Sequence, residues 1–112
     1  MNRQTLRPWE RIRNSADFTR CFKAGKRKRL PGLTVVYAPN SRGYRRIGLS
    51  VGRRIGPAVK RNRVKRILRE IFRRNKTIFP DGYDFVFVPR EDFLEIKWEE
   101  HIRHLRDAFY SS

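Results

Sequence analysis

The stretch VKRNRVKRILREIFRRNK, residues 59–76, sets nine lysines and arginines against one acid, Glu70. Its apolar letters nevertheless recur at helical spacing. With successive side chains turned by about 100°, Val64, Ile67, Leu68, Ile71 and Phe72 fall on one stripe. Asn62, Arg66, Arg69 and Arg73 fall on the opposite stripe, flanked by Arg63 and Lys65. The pattern predicts a helix from about Ala58 to about Asn75 that buries one side against a sheet and turns a row of cations outward. Gly56-Pro57 suits its start, with Pro57 at the first helical position, where a missing N–H costs nothing. Solvated helix faces ordinarily interleave Glu with Lys at i,i+4, because opposite charges stabilise there and like charges destabilise. Here the row is nearly all positive, which points to a polyanionic partner. Arginine dominates it, and the planar guanidinium fork suits bidentate phosphate contacts and stacking on bases.

The rest of the composition agrees. Among 112 residues, 28 Lys and Arg stand against 11 Asp and Glu, a net charge of +17 and a pI near 11.4. Self-repulsion on that scale works against the compact state unless a polyanion relieves it. Nucleic acid is the first candidate and an anionic membrane surface the second. The apolar fraction of 38% and the 8 phenylalanines allow a globular fold. The length suits a single domain, 1–112, around one core of modest size. No apolar run approaches the roughly 18 residues that span a bilayer. The N-terminal MNRQTLRPWERIR has no apolar stretch behind it and does not read as a secretory signal. A lone cysteine, Cys21, excludes an internal disulfide and a thiolate metal cluster. These features lead to the expectation of a soluble, cytoplasmic protein.

Outward from the basic helix, Ser15 reads as an N-cap with Asp17 in the first turn. Phe18, Cys21 and Phe22 follow at helical spacing, and Gly25 is a natural stop. KRKRLPG reads as a basic loop. LTVVYAP (33–39) and RRIGLSVG (45–52) read as strands, and the NSRG turn between them suggests an antiparallel hairpin. FPDG is a turn, YDFVFVP (83–89) is a third strand, and the remainder is a helix with Trp98, Ile102, Leu105 and Phe109 as its stripe. Pattern alone therefore gives the order α-β-β-α-β-α.

Three other features carry little chemistry. His101 and His104 lie at i,i+3 near Glu99 and Glu100, but no third cluster converges on them to complete a metal site. Asp81 and Asp84 surround a Pro-Asp-Gly turn and suit turn chemistry. Cys21 lacks an evident base partner and reads as a packed thiol. No general acid–base constellation stands out. Charge cannot choose RNA over DNA, and no zinc-finger spacing, basic region with heptads or helix-turn-helix pair is visible. Exposed aromatics in a basic groove would favour single strands, whose bases stack on π-faces. Phe18, Phe22 and Tyr37 are candidates for that role, with core packing as the alternative.

At AVKRNRVKRILRE the chain closely resembles the RNR signature of the bacterial ribonuclease P protein family: Ala58, Arg61-Asn62-Arg63, Lys65-Arg66 and Arg69 at these spacings. DFTRCFKAGKR is similar to the family's first helix, RIGLSVGRRIGPAVKRNR to its strand-to-helix passage, and YDFVFVPR to its last strand. The resemblance covers essentially all of residues 8–110. KRKRLPG is slightly longer than in some family members, and Gly52 replaces a small polar residue.

The resemblance implies an α/β fold, a small two-layer sandwich with a central, mostly antiparallel four-stranded sheet and three helices. Its order would be α-β-β-β-α-β-α, with an unusual left-handed crossover through the RNR helix. Pattern alone would assign the right-handed form, the hand of about 98% of such connections. It further implies a protein subunit that binds the catalytic RNA of ribonuclease P and the single-stranded 5′ leader of precursor tRNA, with no DNA or membrane partner. The RNA would use Mg²⁺ for endonucleolytic cleavage, the protein holding no cofactor and being inactive alone. By motif, Lys60, Arg61, Asn62, Arg63, Lys65, Arg66, Arg69 and Arg73 would face RNA, with Arg53 and Arg54 beside the cleft. Phe18, Phe22 and Tyr37 would line the leader-binding cleft. A ribosomal-type RNA-binding protein and a protein-only nuclease are the other readings, the latter disfavoured because the acids are scattered.

Overall fold

The computed structural model describes residues 6–110. Residues 1–5 of the basic N-terminal stretch and the last two serines, included in the expected closing helix, lie outside the described residues. The elements are α1 (Ser15–Ala24), β1 (Lys26–Leu30), β2 (Leu33–Pro39), β3 (Arg46–Leu49), α2 (Ala58–Arg74), β4 (Tyr83–Pro89) and α3 (Trp98–Leu105). The order is the α-β-β-β-α-β-α that the resemblance implies. The four strands form one sheet in the order β1-β2-β4-β3, antiparallel except for the parallel β3–β4 pair.

The hairpin expected between residues 33–39 and 45–52 does not form, because β4 lies between β2 and β3. The reason is in β4 itself. Phe85 and Phe87 face one side and Val86 the other, all fully buried, so both faces need cover and the strand belongs at the centre. Short β3 takes the edge. The KRKR segment, expected as loop, is the opposite edge strand. Its like charges suit an edge, where side chains reach water and deter pairing with other chains. Pro31-Gly32 closes the hairpin to β2, and Gly32 adopts φ +67, which a side chain would oppose.

The strongly basic segment folds as its periodicity predicts. Val64, Ile67, Leu68, Ile71 and Phe72 are all buried, each contributing about 2 kcal/mol by leaving water. They pack with Leu33, Val35, Phe85 and Phe87 in the main core. Pro57 sits one position earlier than expected, as the cap residue. Asn14, not Ser15, caps α1, its side chain accepting from the Ala16 N–H. α3 also differs from its pattern. The buried residues are His101 and Leu105, followed by Phe109 in a π-turn over Arg106–Tyr110, whereas Trp98 is 39% exposed. His101 takes the expected tryptophan's place in the core by stacking on Phe93 (centroids 4.1 Å) and donating from Nε2 to the Phe93 carbonyl at 2.9 Å.

Candidate nucleic-acid interface

Strand alternation gives the sheet two dissimilar faces. α2 and the C-terminal segment cover the first. The second carries a smaller cluster of Ile12, Cys21, Val36, Ala38 and Val86, against which Phe18, Phe22 and Val88 are half-buried. α1 lies over one end of this second face only. At Gly48 the fit is close: a Cβ there would come within 2.9 Å of the Phe18 ring, so the glycine lets the aromatic seat against β3. At Gly25, a Cβ would collide with the carbonyl oxygens of Cys21 and Tyr37 where α1 turns into β1.

A buried ionic network holds α1 there. Asp84 on β4 is fully buried. Its Oδ1 accepts from Arg46 Nε (2.8 Å) and Asn40 Nδ2 (2.9 Å). Its Oδ2 accepts from Arg46 at 2.7 Å and from Arg20 of α1. Asp17 of α1 closes the circuit at 3.3 Å from Arg46. Burial is the largest influence on the Asp84 carboxyl and pushes its pKa up. The hydrogen bonds from Arg46 and Asn40, with the charges of Arg46 and Arg20, outweigh burial and hold it below the usual carboxylate range. The Asp84 hydrogen bond correspondingly raises the Arg46 pKa. Asp84 is therefore a structural anchor and not the turn residue its sequence context suggested. Cys21 is wholly buried beside it, its thiol pKa raised chiefly by burial. That fits the packed thiol.

Phe18 and Phe22 share this face. Tyr37 does not. It lies in register with Lys26 and Phe85, on the main-core face, and its ring meets Tyr83, Phe85 and Phe109 (centroids 6.2, 6.1 and 5.2 Å). The expected trio is thus a pair. Period-two alternation puts Val36, one residue earlier, on the cleft face instead.

The cations of α2 fan out in three directions. Lys65 and Arg69 line a cleft of about 330 Å³ together with Arg11, Arg13, Phe18 and Leu49, joining the basic helix to the aromatic face. Asn62, Arg63 and Arg66 border an outer hollow with Val59, which is 82% exposed. Arg63 also rims a groove beside Trp98. Lys60 is exposed. Arg61 turns back and donates to the Gly56 carbonyl at 2.7 Å, bracing the turn that carries exposed Arg53 and Arg54. Arg73 is held by Glu70 (2.7 and 3.1 Å), which also meets Arg74 at 3.2 Å. Among the described residues no carboxylate pairs with Lys60, Arg61, Arg63, Lys65, Arg66 or Arg69.

Sequence reasoning missed Arg11 and Arg13, which reach the cleft because the segment before α1 bridges to β3 at Ile47. It also missed Arg27 and Arg29, which share the open face with Val36 and Thr34 through the β1–β2 register. Reading KRKR as a strand would have found the second pair.

The ribonuclease P family model matches residues 6–111. The chain belongs to the ribonuclease P protein family. It is 46% identical to the ribonuclease P protein component of Petrotoga mobilis over 82% of this chain and 78% of that protein. With the corresponding protein of Thermotoga maritima the identity is 43%, over 77% and 74%. The solved T. maritima ribonuclease P protein superposes with a TM-score of 0.79 at 38% identity, covering 89% of this chain and 94% of that one. The Staphylococcus aureus protein gives 0.76 at 27%, covering 90% and 92%. As a ribonuclease P protein, the chain is a subunit of the ribonucleoprotein endoribonuclease that processes the 5′ end of tRNA, and it partners an RNA subunit. The three helices and mixed four-stranded sheet are those of the ribonuclease P protein fold. Among the described residues, no group of three or more His, Cys, Asp or Glu could hold a metal ion, and no helix is long and apolar enough to cross a membrane.

Proposed function

We propose that this chain docks on the catalytic RNA through the outward cations of α2 and holds the single-stranded leader of precursor tRNA on the face beneath α1. Asn62, Arg63 and Arg66 make the RNA-facing surface, with Lys60 at its edge. Lys65 and Arg69 stand between that surface and the leader. Phe18 and Phe22 offer rings to unstacked bases, and Arg53 and Arg54 flank the path. Arg61, braced on the Gly56 carbonyl, supports this surface and keeps spare N–H donors for phosphate, and Arg73, paired with Glu70, stands at its far end. Mg²⁺ and the hydrolytic step belong to the RNA; among the described residues no acid lines the cleft, and Asp17 and Asp84 where α1 meets the sheet already balance Arg20 and Arg46. The setting is cytoplasmic, where tRNA precursors are made.

One observation carries this reading. The row from Lys60 to Arg69 has no carboxylate partner among the described residues, yet it adjoins half-buried aromatics across a shared cleft. A merely solvated face would not leave that charge uncompensated. The test is reconstitution with catalytic RNA and precursor tRNA at limiting Mg²⁺. Phe22→Ala should weaken binding of leader-bearing tRNA by about 1–3 kcal/mol, the usual contribution of a stacked base, and leave mature tRNA unaffected. Arg66→Ala should weaken protein–RNA assembly and reduce its salt slope by roughly 0.7–0.9. Equal losses for both tRNAs, or an unchanged slope, would overturn the respective assignment.

A further inference from the structure

α1 covers only part of the second sheet face. Across the strands, Arg27, Val36, Val86 and Gly48 form one row in register, and Arg29, Thr34 and Val88 form the next. Phe18 seats on the first row at Gly48, and Phe22 packs against the same cluster. The second row is open. Thr34 and Val88 are half-buried and Arg29 is exposed.

Arg90, just past β4, reaches back over this open end. Its guanidinium donates to Thr34 Oγ1 at 2.6 Å and to the Leu30 carbonyl, which places it beside Arg29. Two of its five N–H donors are thereby engaged and three remain. One cation is thus fixed by the sheet and the other is free to adjust. Among the described residues no carboxylate lies within ion-pair distance of either, although Glu91 and Asp92 follow directly in the chain. The electrostatics agree: burial chiefly lowers the Arg90 pKa, the charge of Arg29 lowers it further, and Asp92 only partly opposes them. At the near edge, Arg27 stands over the Phe22 ring at 5.7 Å and donates to the Phe22 carbonyl at 3.4 Å. At the far side, Arg90 and Val88 border a cleft of about 330 Å³ with Ser50 and Arg54.

We propose that Arg29 and Arg90 form a phosphate clamp on the β1 edge, gripping the leader backbone beyond the bases stacked at Phe22. The proposal rests on the leader-binding reading above and extends it with a second contact point. Glu91 lines the cleft beside Arg90, and Asp107 the hollow beside Arg29, but neither arginine has an ion-pair partner among the described residues. Two like charges so held form a site for a group that brings its own negative charge. Thr34 is a positioning residue, fixing the Arg90 fork. The clamp reads no base, so its contribution depends on leader length and not on leader sequence.

The experiment measures binding of precursor tRNA by the holoenzyme, using leaders of about four and about twelve nucleotides, the first at the short limit of ordinary single-strand footprints and the second well within them. Arg29→Ala should weaken the long-leader substrate about two- to fivefold, as expected for one exposed ionic contact, and leave the short one unchanged. Its salt slope for the long leader should fall by about 0.7. Arg29→Lys should restore most of the loss, since the charge is retained. Equal effects at both lengths, or none at either, would overturn the clamp. So would weaker assembly of protein with catalytic RNA in the absence of substrate, because the phosphate gripped would then be that RNA's. Phe22→Ala, run in parallel, separates the two levels. If it discriminates leader-bearing from mature tRNA while Arg29→Ala has no effect, only the clamp is wrong. If neither discriminates, the leader-binding reading itself is lost.

Discussion

Replacing Asp84 with alanine should remove a large share of the free protein's stability. The carboxylate is fully buried and accepts from Arg46 twice, from Asn40 and from Arg20. Removing one partner of a buried ion pair costs about 3–5 kcal/mol, because the other charge remains desolvated. Three residual contacts pull the expectation to the lower end. Arg46 keeps Asp17 at 3.3 Å, Arg20 keeps the Pro39 carbonyl at 2.8 Å, and Asn40 keeps the Tyr44 carbonyl at 3.0 Å. A loss of about 3 kcal/mol is a large share of the roughly 5–15 kcal/mol that holds a domain together. At 4–8 °C per kcal/mol, it corresponds to a fall in Tm of roughly 12–24 °C.

The assay is thermal and urea unfolding followed by far-UV circular dichroism, at fixed salt because the chain carries +17. Asp84→Asn should lose most of the same stability, since a neutral amide cannot balance two guanidinium groups. The pH profile supplies a second check. The folded pKa of Asp84 lies below its unfolded value near 3.9, so its contribution is present above that value and disappears as pH falls through the folded one. Wild-type stability should therefore drop steeply below about pH 4, and the drop should be shallower in Asp84→Ala. A Tm change within about 3 °C, with an unaltered acid limb, would refute the claim that this network anchors α1.

Three further outcomes follow from the same geometry. Tyr37→Ala should destabilise the fold by about 3–5 kcal/mol, as loss of a packed aromatic does, and tRNA binding by the fraction still folded should show no leader-specific defect. A leader-specific loss would return Tyr37 to the cleft. Gly48→Ala should cost about 1–3 kcal/mol by overpacking against Phe18, and Phe18→Leu in the same chain should relieve part of it, as urea midpoints would reveal. His101 has its pKa lowered, chiefly by burial, so it stabilises fully above its unfolded value near 6.5 and less as pH falls below it. Urea midpoints between pH 7 and 5 should decline in the native chain and flatten in His101→Phe, even though that variant loses the hydrogen bond to Phe93.

What could be read from the sequence was whatever a local period controls. The buried stripe of α2 emerged residue for residue, since 3.6-residue spacing and one-sided burial are the same fact seen twice. Strand partnership did not emerge, because nothing local to β3 says whether β2 or β4 lies beside it. The deciding feature was that β4 is apolar on both faces, a property of the strand that would become its neighbour. β1 was missed because lysine and arginine carry little strand propensity, although the Pro-Gly pair after it marks the hairpin turn. The error at Tyr37 has the same origin. Register has period two, so a one-residue difference in the preceding segment moves a side chain to the opposite face. Trp98 and His101 exchanged roles because pattern ranks tryptophan above histidine for burial. Here the imidazole has both a ring to stack on and a carbonyl to receive its proton.

The placement of the acids explains how so basic a chain stays folded and still offers charge to RNA. Asp17 and Asp84 neutralise Arg20 and Arg46 where α1 meets the sheet. Glu10, itself buried, holds Lys76 at 2.8 Å and ties the N-terminal turn to the segment after α2. Asp81 meets Arg45 at 2.9 Å, and Glu70 gathers Arg73 and Arg74 at the end of α2. Each of these carboxylates meets a cation that fixes one element on another or steadies a helix end. From Lys60 to Arg69 none is supplied among the described residues. At the exposed positions Lys60, Asn62, Arg63 and Arg66 a carboxylate at i,i+4 would have cost nothing in packing, and it would have steadied the free helix. The uneven distribution therefore divides the cations into those that build the scaffold and those without a carboxylate partner among the described residues, which the proposed docking assigns to phosphate. The second group runs continuously from the outer face of α2, through the cleft shared with Phe18, toward the open row of the sheet.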